Sequence, residues 1–281
     1  MTNDLISRDD IGLFSLYLQK EEKSRLTIDK YLRDILRFYE YLGDDRSVSK
    51  ERVISYKEYL GSHYKISSAN SMIAALNKFL SWTGMDHCKV KSFKNQRPIF
   101  CDQSRELNQN EYERLIKTAQ KQGNCRLEMV MQTICATGIR ISELRYITLE
   151  AVYRGRAEVM GKGKQRTVFI VPKLRRYLIS YCKANGVVRG TVFVTRSGKP
   201  VNRSNMWAEM KALAQAAKVA MEKIFPHNLR HLFARTCYKK KKDIVYLADI
   251  LGHSNIETTR VYTISSGKEH EVMLASLGLM L

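Results

Sequence analysis

Between Cys88 and Glu106 the apolar periodicity that governs the rest of the chain stops. Lys89, Lys91, Lys94 and Arg97 stand there among mostly polar residues, and Pro98 blocks a helix. Such a stretch joins domains rather than feeding a core. The chain therefore divides into a first domain at 1–95, a linker at 96–106 and a second domain at 107–281. With 281 residues there is room for two domains of ordinary size, and 44% apolar content supplies a core for each.

The first domain reads as four short amphipathic helices. Ser7 with Asp10 starts one that carries Ile11, Phe14, Leu16 and Leu18. Thr27 opens the second, whose Tyr31, Leu32, Ile35, Phe38 and Leu42 make a wide apolar face before Gly43. A third runs from Ser49 to Leu60 and is closed by Gly61. The fourth opens at Ser67 or Ser68 and ends at Gly84. Tight connections make these a small bundle, whose polar faces carry basic residues such as Lys78.

The second domain is mixed. Asn108 with Glu111 reads as a capped start for a helix ending near Gln122. The next helix carries Leu127, Val130, Met131 and Ile134 and ends at Gly138. That glycine lets the chain turn, so Arg140 points out of the turn and Glu143 stands ready to hold its guanidinium. A surface ion pair is the plain alternative for these two. At 150–171 the period changes to two. Ala157–Met160 and Arg166–Val171 flank the turn Gly161-Lys162-Gly163-Lys164-Gln165 as a β-hairpin. Helices resume at Lys173–Ala184 and Ser204–Ala220, with a short strand at Thr191–Val194 between them. The fold class expected is mainly α with a small antiparallel β-sheet: an N-terminal helical bundle, then an α+β domain.

Lys and Arg total 48 against 28 Asp and Glu, a formal charge of +20, so the partner expected is a polyanion. No apolar run is long enough to span a bilayer, and the N-terminus lacks the features of a secretion signal. Six scattered cysteines without a Cys-x-x-Cys pair fit reduced thiols in the cytoplasm. Duplex DNA suits the charge, with Lys78, Lys94, Arg97, Lys164 and Arg166 as candidate contacts. A basic linker can lie along a duplex while two domains clamp it.

The chemistry gathers between Phe225 and Tyr262. His227, Arg230, His253 and Tyr262 follow one another at separations of three, twenty-three and nine residues. His227 and Arg230 share a helical face after Pro226. Gly252 presents His253 at the end of a helix capped by Asp243, and Tyr262 falls on a final short helix. His231 reads as structural or auxiliary. Taken singly, such residues are more often core or surface than catalytic. Jointly they meet the needs of metal-free phosphodiester transfer: a nucleophile, donors for the pentacovalent transition state, and a proton for the leaving oxygen. Tyr262, Arg140 with Arg230, and a lysine or histidine fill those roles. No acidic cluster has metal-ligand spacing, which disfavours a two-metal nuclease.

Ala136-Thr137-Gly138-Ile139-Arg140-Ile141-Ser142-Glu143-Leu144, His227-x-Leu229-Arg230-His231, and Leu251-Gly252-His253 with Tyr262 nine residues on resemble the tyrosine recombinase (phage integrase) family, in its order. Thr27–Leu42 and Asn70–Trp82 resemble its helical core-binding domain, and the two-domain length is similar to Xer-like recombinases and small mobile-element integrases. The resemblance implies that Tyr262 attacks the scissile phosphate to give a 3′-phosphotyrosyl link. It implies that Arg140 and Arg230 brace the phosphate oxygens, that His227 and His253 assist, and that Glu143 supports the site. It implies too that a hairpin lysine protonates the leaving oxygen. The turn is one residue shorter than the family's usual pattern; Lys162 keeps the Gly-Lys-Gly context, and Lys164 is the alternative. No cofactor or metal is implied. The partners implied are double-stranded DNA recombination sites, within a homo-tetramer that passes a C-terminal helix between protomers, in the cytoplasm at the nucleoid. The apolar tail Val272, Met273, Leu274, Leu277, Leu279 and Leu281 suits that exchange, and accessory proteins are compatible with it. A type IB-like topoisomerase and an inactive DNA-binding regulator are the rival readings. The complete set Arg140, Lys162, His227, Arg230, His253 and Tyr262 speaks against the second. Neither the target sequence nor the biological outcome (integration, resolution or inversion) is encoded legibly.

Overall fold

Ser7 starts the first helix by a reciprocal exchange: its hydroxyl accepts the Asp10 N–H at 3.1 Å, and the Asp10 carboxylate accepts the Ser7 N–H at 2.7 Å. The helix is α1 (Arg8–Lys20). It belongs to the first of two compact units, Met1–Arg97 and Pro98–Leu281. The computed structural model describes residues 5–94, 103–161, 164–195, 198–263, 271–272 and 274–277.

In the first unit α1 is joined by α2 (Arg25–Tyr41), α3 (Lys50–His63) and α4 (Ile66–Trp82). Ser24 caps α2 through the Thr27 N–H, so that helix starts two residues before Thr27. The apolar faces meet in one core around Phe14, Ile35, Phe38, Leu60 and Phe79. Gly61, expected to stop α3, lies inside the helix. A Cβ there would stand 2.9 Å from the Phe93 Cζ, so the glycine makes room for that ring. Asn70 exchanges two hydrogen bonds with the Phe93 backbone at 2.8 and 3.0 Å, and Asn77 does the same for Val90 at 2.8 and 3.1 Å. The stretch through Lys94, aperiodic as sequence, is thereby strapped to the bundle.

The second unit opens with α5 (Gln109–Lys121), capped reciprocally by Asn108 and Glu111, and α6 (Cys125–Thr137). After a 3₁₀ turn at Ile141–Tyr146 come α7 (Leu149–Arg154), β1 (Arg156–Gly161) and β2 (Lys164–Phe169). The hairpin ladder runs from Arg156↔Phe169 to Gly161↔Lys164. Lys164 and Gln165, expected in the turn, are therefore ladder residues, and Lys162 and Gly163 lie outside the described residues. Paired residues share a face, so Arg166 stands on the inward side with Val159, Ala157 and Val168.

Then follow α8 (Pro172–Ala184), α9 (Arg203–Ala212), α10 (Ala214–Ala217), α11 (Pro226–Lys241) and α12 (Ile244–Leu251). The single helix expected at Ser204–Ala220 is broken at Leu213 and stops at Lys218, whose φ is +51°. Thr191–Val194 is no strand: its Val192 and Phe193 are buried, but only the isolated bridges Thr148↔Thr191 and Val194↔Pro200 form. The last short helix resolves into two 3₁₀ turns, Ile256–Thr258 and Arg260–Tyr262. A large core holds the unit together, and a smaller cluster joins Ala234, Leu247, Leu251 and Tyr262. Among the described residues no helix is long and apolar enough to cross a membrane.

Candidate active site

Two helix C-termini converge on one guanidinium. α6 and α12 both end on a glycine in the left-handed region, Gly138 and Gly252, each at φ +65°. Arg230, in the second turn of α11, donates through Nη1 to the Gly138 carbonyl at 2.5 Å and through Nη2 to the Leu251 carbonyl at 2.8 Å. Terminal carbonyls carry the partial negative charge of their helix, which stabilises a cation that is only 1% exposed. Burial, then the neighbouring Arg140, lowers the Arg230 pKa to about 10, so it stays charged at neutral pH. A Cβ at either glycine would collide, 2.4 Å from Phe233 Cδ1 at position 138 and 2.6 Å from Arg166 Cδ at position 252. These glycines set both the turn and the packing.

Glu143 lies between two more arginines. Its carboxylate, in a residue 4% exposed, accepts the Arg140 N–H and Arg140 Nη1, each at 2.8 Å. It also takes both arms of Arg166, Nη1 at 3.0 Å and Nη2 at 2.7 Å. Burial alone would raise its pKa, but hydrogen bonds from Arg166 and Arg140 prevail and hold it at about 2. The surface ion pair considered from the sequence is therefore not what forms. Arg140 keeps 36% of its side chain exposed and faces a cleft of about 530 Å³, also lined by Glu143, Arg145, Gly161, His253 and Thr258. Three guanidiniums against one carboxylate leave the cleft positive, as an anion site requires.

His253 Nε2 lies 3.0 Å from Arg230 Nη2, which can only donate, so Nε2 accepts and the ring proton sits on Nδ1. That proton points to Thr259 Oγ1 at 2.8 Å, and Thr259 is fully buried. Burial, then Arg230 and Arg140, push the His253 pKa down to about 4 and keep the ring neutral at pH 7. His227 is exposed at the start of α11; partial withdrawal from water, then His231, Arg230 and Arg140, lowers its pKa.

Tyr262, 5% exposed, stacks on His253 with centroids 6.2 Å apart and meets the His231 ring edge-on at 4.9 Å. Burial raises its phenol pKa, while the charge of Arg230 and a hydrogen bond from it act in the opposite direction. His231 in turn touches His227 at 4.7 Å and faces Glu106 Oε1 at 3.5 Å.

Arg140, Glu143, Arg230, His253 and Tyr262 thus come together from four separate segments, with His227 beside Arg230 on α11. Lys162 and Arg97 lie outside the described residues. Lys164 pairs with Gly161, whose added Cβ would stand 3.3 Å from Glu143 Oε1, so the end of the hairpin abuts the acid. Lys94 is exposed on the first unit, whereas Lys78 is engaged with the Tyr17 hydroxyl at 2.7 Å and Glu21 at 3.4 Å. Arg166, expected at a DNA surface, is turned inward, with 13% of its side chain exposed. Its ladder parity with Val168 was the available signal. Thr259, expected only as part of the final short helix with Tyr262, offered no signal of its own. Among the described residues no cluster of three His, Cys, Asp or Glu could hold a metal ion.

A family model described as "Phage integrase family" matches residues 105–269, and one for "Phage integrase, N-terminal SAM-like domain" matches residues 11–84. The tyrosine recombinase XerD of Halalkalibacterium halodurans is 26% identical over 279 residues, covering 88% of this chain and 90% of its own. The tyrosine recombinase XerA of Thermococcus kodakarensis is 29% identical over 260 residues, covering 89% and 88%. Among solved structures, the XerH site-specific recombinase bound to difH substrate in a pre-cleavage complex aligns with a TM-score of 0.69 at 18% identity, covering 97% of this chain and 90% of that one. A lambda integrase tetramer bound to a Holliday junction aligns with a TM-score of 0.74 at 16% identity, covering 93% and 78%. At these identities the structural likeness is one of fold.

Proposed function

Because the chain belongs to the phage integrase family, we propose that it is a site-specific DNA recombinase that cleaves and rejoins duplex strands through Tyr262. The observation that carries this reading is that Arg140 and His253 line one positive cleft, with Arg230 bonded to His253 and Tyr262 stacked on it just behind. The Tyr262 hydroxyl gives its proton to the neutral imidazole of His227 as its oxygen attacks the scissile phosphorus, the bond to the 5′-oxygen breaks, and a 3′-phosphotyrosyl link forms. The departing 5′-oxygen takes a proton from the hairpin lysine, Lys162 or alternatively Lys164. A 5′-hydroxyl from another strand then reverses these steps and returns the proton. The tyrosyl ester keeps the energy of the phosphodiester, so rejoining needs no ATP.

Arg140 and Arg230 hold the non-bridging oxygens, a task suited to a planar fork of donors. Arg230 is fixed on two helix ends before substrate arrives, so little reorganisation accompanies charge development. Neutral His253, fixed at Nδ1 by Thr259, accepts from Arg230 through Nε2 and so assists by holding that guanidinium in place. His227, at the open end of the cluster, assists proton transfer. Glu143 supports Arg140. Lys78, Lys94, Arg97 and Lys164 contact the DNA backbone.

The working assembly is a tetramer on two DNA sites, with the C-terminal segment of each protomer docked on a neighbour. Exposure of Val272, Leu274 and Leu277 at 63%, 51% and 51% supports that docking. Met273, Leu279 and Leu281 lie outside the described residues. The reading is tested with plasmids carrying two copies of DNA flanking the gene, incubated with the chain in EDTA and without ATP. Recombinant circles of the two expected sizes are predicted. Relaxed topoisomers alone would instead mean a topoisomerase, and binding without products an inactive regulator.

A further inference from the structure

The acid in the site is neutralised mainly by an arginine from the hairpin, not by the arginine that lines the cleft. Arg166 sets both Nη atoms on Glu143, at 3.0 Å to Oε1 and 2.7 Å to Oε2. The Arg140 side chain reaches only Oε1, through Nη1 at 2.8 Å. The two differ in exposure as well, 13% of the side chain for Arg166 against 36% for Arg140. Arg166 also runs beneath the turn before His253. A Cβ at Gly252 would stand 2.6 Å from its Cδ, 3.1 Å from Nη1 and 3.2 Å from Nε. A single side chain therefore touches both the acid that holds Arg140 and the turn that presents His253.

A buried carboxylate with one arginine beside it draws that arginine into a two-pronged pair. With Arg166 in the two-pronged position, Arg140 is bound by a single side-chain nitrogen and keeps its other donors for a ligand. We propose that Arg166 is a positioning residue for strand cleavage, occupying Glu143 so that Arg140 is left for the phosphate. This rests on the recombinase reading above. Arg166 is part of the same ladder as the hairpin turn, so the hairpin must be in place for the phosphate clamp to assemble.

The test uses the full chain and the nicked duplex on which the wild type forms a covalent adduct. Arg166→Met is expected to slow single-turnover cleavage about 100-fold, with the DNA Kd changed by less than about twofold. Adding Glu143→Gln removes the carboxylate that captures Arg140 and is expected to restore cleavage about tenfold over Arg166→Met alone. A purely structural role predicts the opposite, a double variant slower than either single one. Arg166→Lys keeps the charge but not the fork and should fall between wild type and Arg166→Met. That variant carries the comparison if thermal melts show Arg166→Met unfolded. Wild-type cleavage by Arg166→Met, or no gain on adding Glu143→Gln, overturns this inference alone. A wild-type chain that forms no adduct on any fragment overturns the recombinase reading and the positioning role together.

Discussion

Arg230→Lys is expected to slow strand cleavage about a thousandfold while leaving DNA affinity nearly unchanged. The guanidinium joins the Gly138 carbonyl, the Leu251 carbonyl and His253 Nε2 at once, at 2.5, 2.8 and 3.0 Å. An ammonium is a point charge on a flexible stem and cannot span two helix ends while presenting a further donor to a phosphate. The charge survives the substitution and the geometry does not, so the loss should appear in the chemical step. Affinity is carried by a formal charge of +20 spread over the chain, and one cation changes it little. Single-turnover cleavage measured beside a binding isotherm separates these quantities. A loss below about tenfold would mean that charge alone matters at this position.

Gly138→Ala is expected to cost about 3 kcal/mol of stability in the second unit, and activity with it. Part of the cost is the left-handed backbone, at φ +65°. The larger part is the contact at 2.4 Å with the Phe233 ring, which is carried by α11 along with His227 and Arg230. Relief of that clash moves α11 away from the carbonyl that anchors Arg230, so folding and chemistry fail together. Gly155→Ala is the control. Its φ is +74°, but nothing stands within 4 Å of the added Cβ, so it should cost only about 1 kcal/mol. Urea unfolding of both variants reads the difference, and equal costs would show that close packing at Gly138 contributes nothing.

What was legible in the sequence was local. Ser7 with Asp10 and Asn108 with Glu111 name their helix starts because each exchange is complete within four residues. Gly138 and Gly252 mark turns because left-handed backbone favours glycine, and both turns deliver site residues. The illegible parts depend on what arrives from elsewhere. Gly61 looks like a helix stop until Phe93 packs against it, an event no window around residue 61 contains. Arg166 next to a lysine-rich turn looks like a solvated cation, and two facts act against that. Ladder parity turns it inward, and Glu143 waits there with its charge. Thr191–Val194 has the composition of a strand, but among the described residues it forms only isolated bridges and no ladder. The candidate site residues stand out in the sequence by joint spacing. Their supports, Arg166 and Thr259, required the fold.

The recombinase reading turns on a covalent bond between Tyr262 and DNA. Wild type and Tyr262→Phe should be incubated with labelled, nicked duplexes from DNA flanking the gene, in EDTA, and then denatured. A protease-sensitive, denaturant-resistant adduct is expected at the 3′ end of the cut strand, formed by the wild type and abolished in Tyr262→Phe. An equally strong adduct in Tyr262→Phe would show that another side chain is the nucleophile.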